Sequence, residues 1–159
     1  MRFHHPIIAT LAAALLLAAC GAQPPARSAG DSTAPQEAIA RAGDVSMRAS
    51  VVQTSTLGAD VARQYGISRD PGTVMLLVAV RQGAEGAETA LPAQVTATAT
   101  DLRGQRQDIA MRELRVGDLL DYVGTVQTTP PDTLRFDVTI VRDGGATSSM
   151  QFTREFFPR

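Results

Sequence analysis

The chain has one cysteine, two histidines, and no lysine, asparagine or tryptophan among its 159 residues. Both histidines, His4 and His5, lie near the start of an apolar leader, and the cysteine, Cys20, stands at its end. Without lysine there is no Schiff base and no Ser–Lys pair. Once the leader is removed, Ser–His and Cys–His activation are also excluded. Zinc and haem lose their usual nitrogen and sulfur ligands, and a lone cysteine cannot build a disulfide framework. No glycine-rich phosphate loop of either common type occurs. The chemistry left open is that of carboxylates, either paired acids for glycoside cleavage or oxygen-only calcium binding.

Excess positive charge is missing too. All 15 basic residues are arginine, against 16 acidic ones. Arginine, alanine and glycine have GC-rich codons and lysine and asparagine AT-rich ones, so a GC-rich genome accounts for this bias. Without Arg2 the balance is 14 arginines against 16 acids, near −2, with no basic stripe. Nucleic acid is therefore not an expected partner.

What is present begins with Met1 and Arg2, a short positive start, followed by 13 mostly aliphatic residues from Ile7 to Ala19. That length suits a secretory signal and falls short of the roughly 20 residues that span a bilayer. The sequence Leu17-Ala18-Ala19-Cys20 resembles the lipobox of bacterial lipoproteins. The resemblance implies cleavage before Cys20 and acylation of its sulfur and of the new N-terminus, giving the two or more chains that stable anchoring requires. Residues 1–19 are thus read as the signal. No aspartate follows Cys20-Gly21, which points to the outer membrane, facing the periplasm.

Residues 20–43 contain three prolines, many small residues and an isolated Ile39. Such a segment buries too little apolar surface to offset its ordering entropy, so it is expected to be a flexible tether of about 25 Å root-mean-square span. Residues 44–159 read as strands. Val45, Met47, Ala49 and Val51 alternate with polar or small neighbours, as do Leu134, Phe136, Val138 and Ile140, the period of a half-buried strand. The run Thr73–Val80 is continuously apolar, which predicts a central strand covered on both faces. "AQVTATATDLR" breaks at Gly104 into "QRQDIAMREL", a further strand begins at Leu120 and Tyr122, and Asp143-Gly144-Gly145 turns the chain into Met150, Phe152 and Phe156. The reading is all-β: an immunoglobulin-like two-sheet antiparallel sandwich of about seven strands. One two-turn helix, with Val61 and Tyr65 on its apolar side and Gly66 as its stop, falls between the first two of them.

The motifs "ADVARQYGISR", "VTATATDLRGQ", "RELRVGD", "TLRFDVTIV" and "FTREFFP" are together similar to a family of small exported Gram-negative proteins known as a domain of unknown function, DUF4426. The likeness spans Asp44 to Pro158. It implies an exported β-sandwich and supplies no catalytic residues. Gly58 and Ala59 stand where relatives have Thr and Pro, so the helix start is less well capped here.

For function, the residues favour a tethered, non-catalytic module that docks another envelope protein, needing no cofactor and no metal. A small-ligand or glycan-binding lipoprotein is the alternative, with Tyr65, Arg69, Arg112 and Glu113 as candidate ligand residues. A carboxylate hydrolase is the third reading. Asp118 and Asp121, beside a strand start, are expected to be solvated, as is the mixed-charge group of Arg112, Glu113, Arg115 and Asp118. Asp143-Gly144-Gly145 lacks the further acids of a calcium loop, and "RDPG" at 69–72 is a turn in which Pro71 presets φ. Tyr122 is a candidate tyrosine corner. If Cys20 carries the anchor, Cys20→Ser is expected to move the protein from membrane to soluble fraction on cell fractionation; unchanged membrane association contradicts the anchor.

Overall fold

The computed structural model describes residues 36–158, so the signal, Cys20 and the start of the tether lie outside the described residues. Within that span the chain forms two antiparallel sheets. One has the order β1 (Gln36–Ala42), β2 (Val45–Gln53), β3 (Thr73–Gln82), β8 (Leu119–Gln127), β7 (Arg112–Val116), with the two-residue β4 (Thr89–Ala90) also paired to β3. The other runs β10 (Thr147–Phe156), β9 (Asp132–Arg142), β5 (Ala93–Thr100), β6 (Arg106–Ile109). After β1 to β4 in the first sheet, the chain crosses for the β5–β6 hairpin. It then returns for β7–β8 and crosses again for β9–β10.

Each sheet buries one face. Met47, Ala49, Leu76, Val78 and Tyr122 from the first meet Ala99, Leu134, Phe136, Val138 and Ile140 from the second in one interior. Phe136 anchors it: it stacks on Phe152 at 5.2 Å between ring centroids and meets Phe156 edge-on at 6.5 Å. The alternation read in β9 holds, with Leu134, Phe136, Val138 and Ile140 all buried.

Among the described residues there are ten strands rather than seven. The segment read as one strand from Gln105 to Leu114 is two, because the chain changes sheets at Ala110–Met111, between β6 and β7. β4 is too short for any periodic signal. β1 corrects the tether boundary: residues 36–42 are paired along their length with β2, so the segment expected to be flexible ends before Gln36. Ala38, Ala40 and Ala42 pack against the core while Glu37, Ile39 and Arg41 face out. Alanine methyls add little apolar area per residue, but the ladder hydrogen bonds order them.

The helix α1 (Ala59–Tyr65) lies between β2 and β3, after a 3-10 turn at Thr54–Thr56. Gly66 stops it in the left-handed region at φ +61°, and Gly58 caps its start with no side-chain hydrogen bond, as the Gly58-Ala59 departure implies. Its buried residue is Ala62, whereas Val61 is exposed. The expected Val61–Tyr65 stripe is therefore replaced by Ala62 and Tyr65, with Tyr65 on the outer face of β3 and β8. There Tyr65, Leu57, Ile67 and Leu77 cover Met75, Leu114 and Val123. β3 is thus covered on both faces along that part of its length.

The crossover between β6 and β7 runs tightly over Gly124 of β8. A Cβ there meets Ile109 Cγ2 at 2.6 Å, Met111 Sδ at 2.8 Å and the Ala110 carbonyl oxygen at 2.9 Å. Ile and Met tips can swing away but a backbone carbonyl cannot, so Gly124→Ala is expected to cost about 1–3 kcal/mol. A urea midpoint equal to wild type contradicts this packing.

Candidate functional site

A groove of about 330 Å³ lies on the outer face of the first sheet. Its walls are the residues after α1, Gly66 to Ser68, and the start of β7; its floor is β8. The size is at the small end for ligand pockets. Arg112 supplies its one cationic side chain and donates to the carbonyl of Tyr65, tying the strand to the helix end. Thr73 and Gln127, also in the wall, hydrogen bond to each other. The structure therefore brings Tyr65 and Arg112 together. Arg69 instead donates to the Ser55 carbonyl at 3.1 Å, and Glu113 faces the opposite side of β7, where Arg115 Nη2 donates to it at 2.9 Å.

The aspartates divide. Asp118 is exposed in the β7–β8 turn. Asp121, expected to be solvated, is half-buried and paired with Arg81, which also donates to the Leu120 carbonyl at 2.9 Å. Asp121 sits on the outer face opposite Ala79, one step from Arg81, and no sequence spacing announces that pairing. Nearby, the buried Ser46 donates to Glu88 at 2.9 Å, and Arg48 lies 3.5 Å from the same carboxylate, clasping the loop before β4 onto β2.

Tyr122 is buried in β8, and its hydroxyl oxygen accepts from the Ala93 N–H at 2.7 Å. Ala93 opens β5 in the other sheet, so this is a stitch between the sheets rather than a tyrosine corner closing on its own neighbourhood.

A second group escaped the sequence reading. On the outer face of the second sheet, Thr98 stands between Asp108 of β6 and Asp137 of β9 in direct register, beside a cleft of about 510 Å³. Thr98 Oγ1 is buried without a hydrogen-bond partner, while Asp137 is held by Arg135 at 3.4 Å and by Gln151. The alternation of β5 and β9 was visible, but the register that aligns these residues is a tertiary fact. Among the described residues no three His, Cys, Asp or Glu side chains gather as a metal cluster, and no helix is long and apolar enough to cross a membrane.

With the fold and these sites in place, the family can be assigned. The profile of the domain of unknown function DUF4426 matches residues 39–159. The chain belongs to this family. Among solved structures, it is similar to a DUF4426 family protein from Pseudomonas aeruginosa PAO1, with TM-score 0.66 at 24% identity over 77% of this chain and 96% of that one. It is also similar to a copper-bound glutamate-to-glutamine variant of FetP from uropathogenic Escherichia coli strain F11, with TM-score 0.56 and 11% identity over 79% and 97% of the two chains. A third similar structure is the as-isolated FetP of that strain, expressed in the periplasm, with TM-score 0.51 and 12% identity over 77% and 93%. At these identities the likeness is one of fold. No curated protein matches the chain.

One site carries a pH dependence. In the β5–β6 turn, Asp101 accepts from the N–H groups of Gln105 at 2.8 Å and Arg103 at 2.9 Å, and from Arg103 Nε at 3.0 Å. The Gln105 N–H is the largest influence holding its carboxyl below the ordinary value; burial opposes it and Arg103 adds to it. A carboxyl depressed by folding stabilises the protein above its unfolded pKa and loses that contribution as pH falls through the folded one. Asp101→Asn is expected to lower the thermal midpoint at pH 7. The gap to wild type should then shrink on acidification below about pH 4; a gap that widens in acid contradicts this assignment.

Proposed function

We propose that this DUF4426 protein is an envelope lipoprotein, held through lipid on Cys20 and facing the periplasm from the outer membrane, whose sandwich is a non-catalytic interaction module. The observation that carries the reading is how the polar candidates of the folded part are used. Arg112 is bonded to Tyr65, Arg69 to Ser55 and Asp121 to Arg81. Side chains committed to holding the fold are poorly placed to act as nucleophile or proton carrier. Residues 36–158 also contain neither histidine nor cysteine, two of the common copper ligands, which supports a reading without the copper of the FetP variant.

The strand connections support the immunoglobulin-like description as well. β3 lies beside β8 and β5 beside β9, with three passages between sheets, as in a Greek key. Such sandwiches present strand edges to partners. A small-ligand reading keeps one specific support, the groove at Arg112, whose single guanidinium suits an anionic group.

Chemical crosslinking in intact envelopes, followed by mass spectrometry, separates the two. A reproducible crosslinked protein partner is expected; crosslinks that never exceed background in any growth condition contradict the module.

A further inference from the structure

The first sheet ends at β7, which pairs with β8 and with no other strand among the described residues. Its sequence is Arg112-Glu113-Leu114-Arg115-Val116. The β7–β8 loop is two residues, Gly117 and Asp118, closed by the pair Val116↔Leu119, with Gly117 at φ +59°. In such a hairpin the residues flanking the loop exchange hydrogen bonds, and pairing groups then alternate along the strand. Val116, Leu114 and Arg112 therefore direct their peptide groups at β8. Those of Glu113 and Arg115 point outward, an open edge.

We propose that this edge is the contact for a second copy of the same chain, joined antiparallel about a two-fold axis through Leu114. Three central registers are available to two identical strands, and charge selects among them. Centring on Glu113 sets glutamate opposite glutamate, and centring on Arg115 sets arginine opposite arginine, both destabilising when directly opposed. Centring on Leu114 sets Glu113 opposite the partner's Arg115, twice, and these are the residues whose outward N–H and C=O groups can close the ladder. Both side chains are free to turn to a partner, at 50% and 63% exposure, and in the single chain they neutralise each other within the strand. The exposed Val116 and Leu119 beside the loop add apolar area on the other face. The contact is isologous, so it closes at two copies and does not propagate. Five residues bury less than the roughly 1,200 Å² of a tight complex, so the dimer is weak and concentration-dependent. The inference needs neither the lipid nor a different protein as partner, and failure of the crosslinking experiment above leaves it standing.

The test is sedimentation velocity of the full chain, in detergent, over a rising concentration series. Wild type is expected to shift from monomer to dimer. Glu113→Arg and Arg115→Glu each set like charges opposite each other at both ends and are expected to weaken association about tenfold. Mixing the two variants restores opposite charges in every pair, so the mixture is expected to dimerise where neither component does, and the double swap is expected to dimerise alone. Wild type that stays monomeric throughout, single variants that associate like wild type, or a mixture that remains monomeric overturns the proposal. Because both positions are exposed, thermal midpoints within a degree or two of wild type identify an edge effect rather than a folding defect.

Discussion

The structure depends on one constraint: each sheet has one face that is apolar along its length, and the other sheet covers it. Phe136, stacked between Phe152 and the inner faces of the core strands, sits at the centre of that seal. Neither face can be left in water, since each carries several fully buried side chains worth about 1.5–3 kcal/mol apiece. The three passages between the sheets follow from this, as does the close approach over Gly124. The Tyr122 hydroxyl accepts from the Ala93 N–H at the start of β5 and so joins the two sheets.

The outer faces have different fates. That of the first sheet is half apolar, and α1 with its flanking residues covers that half through Tyr65, Leu57 and Ile67. Ion pairs occupy the other half. That of the second sheet is lined by threonines and charged residues such as Thr96, Thr98, Asp108 and Asp137 and needs no cover. In the first sheet several polar side chains are thus committed to ion pairs that hold neighbouring segments together, and β7 leaves one strand edge unpaired among the described residues.

Legibility in the sequence followed the strength of the local signal. β9 and β2 were readable because large apolar residues alternate, and the turns at Gly66, Gly104 and Asp143–Gly145 because glycine supplies the positive φ they need. β1 was hidden because its inward residues are alanines. The β6–β7 crossover was hidden because Ile109, Ala110 and Met111 run apolar straight through it. Arg81–Asp121 and Thr98 between two aspartates depend on register, which no single strand's sequence contains. Of the candidate ligand residues, Tyr65 and Arg112 meet and Arg69 and Glu113 stand apart, because the strand alternation that separates Arg112 from Glu113 puts them on opposite faces of β7.

The claim that two sheets form one inseparable unit is open to a direct measurement, native-state hydrogen exchange resolved by residue. Amides of Leu76 and Val78 in β3 and of Phe136 and Val138 in β9 are expected to share one opening free energy, equal to that of global unfolding. If the central strands of one sheet open well before those of the other, the sheets are stable apart, and the account built on their mutual burial is wrong.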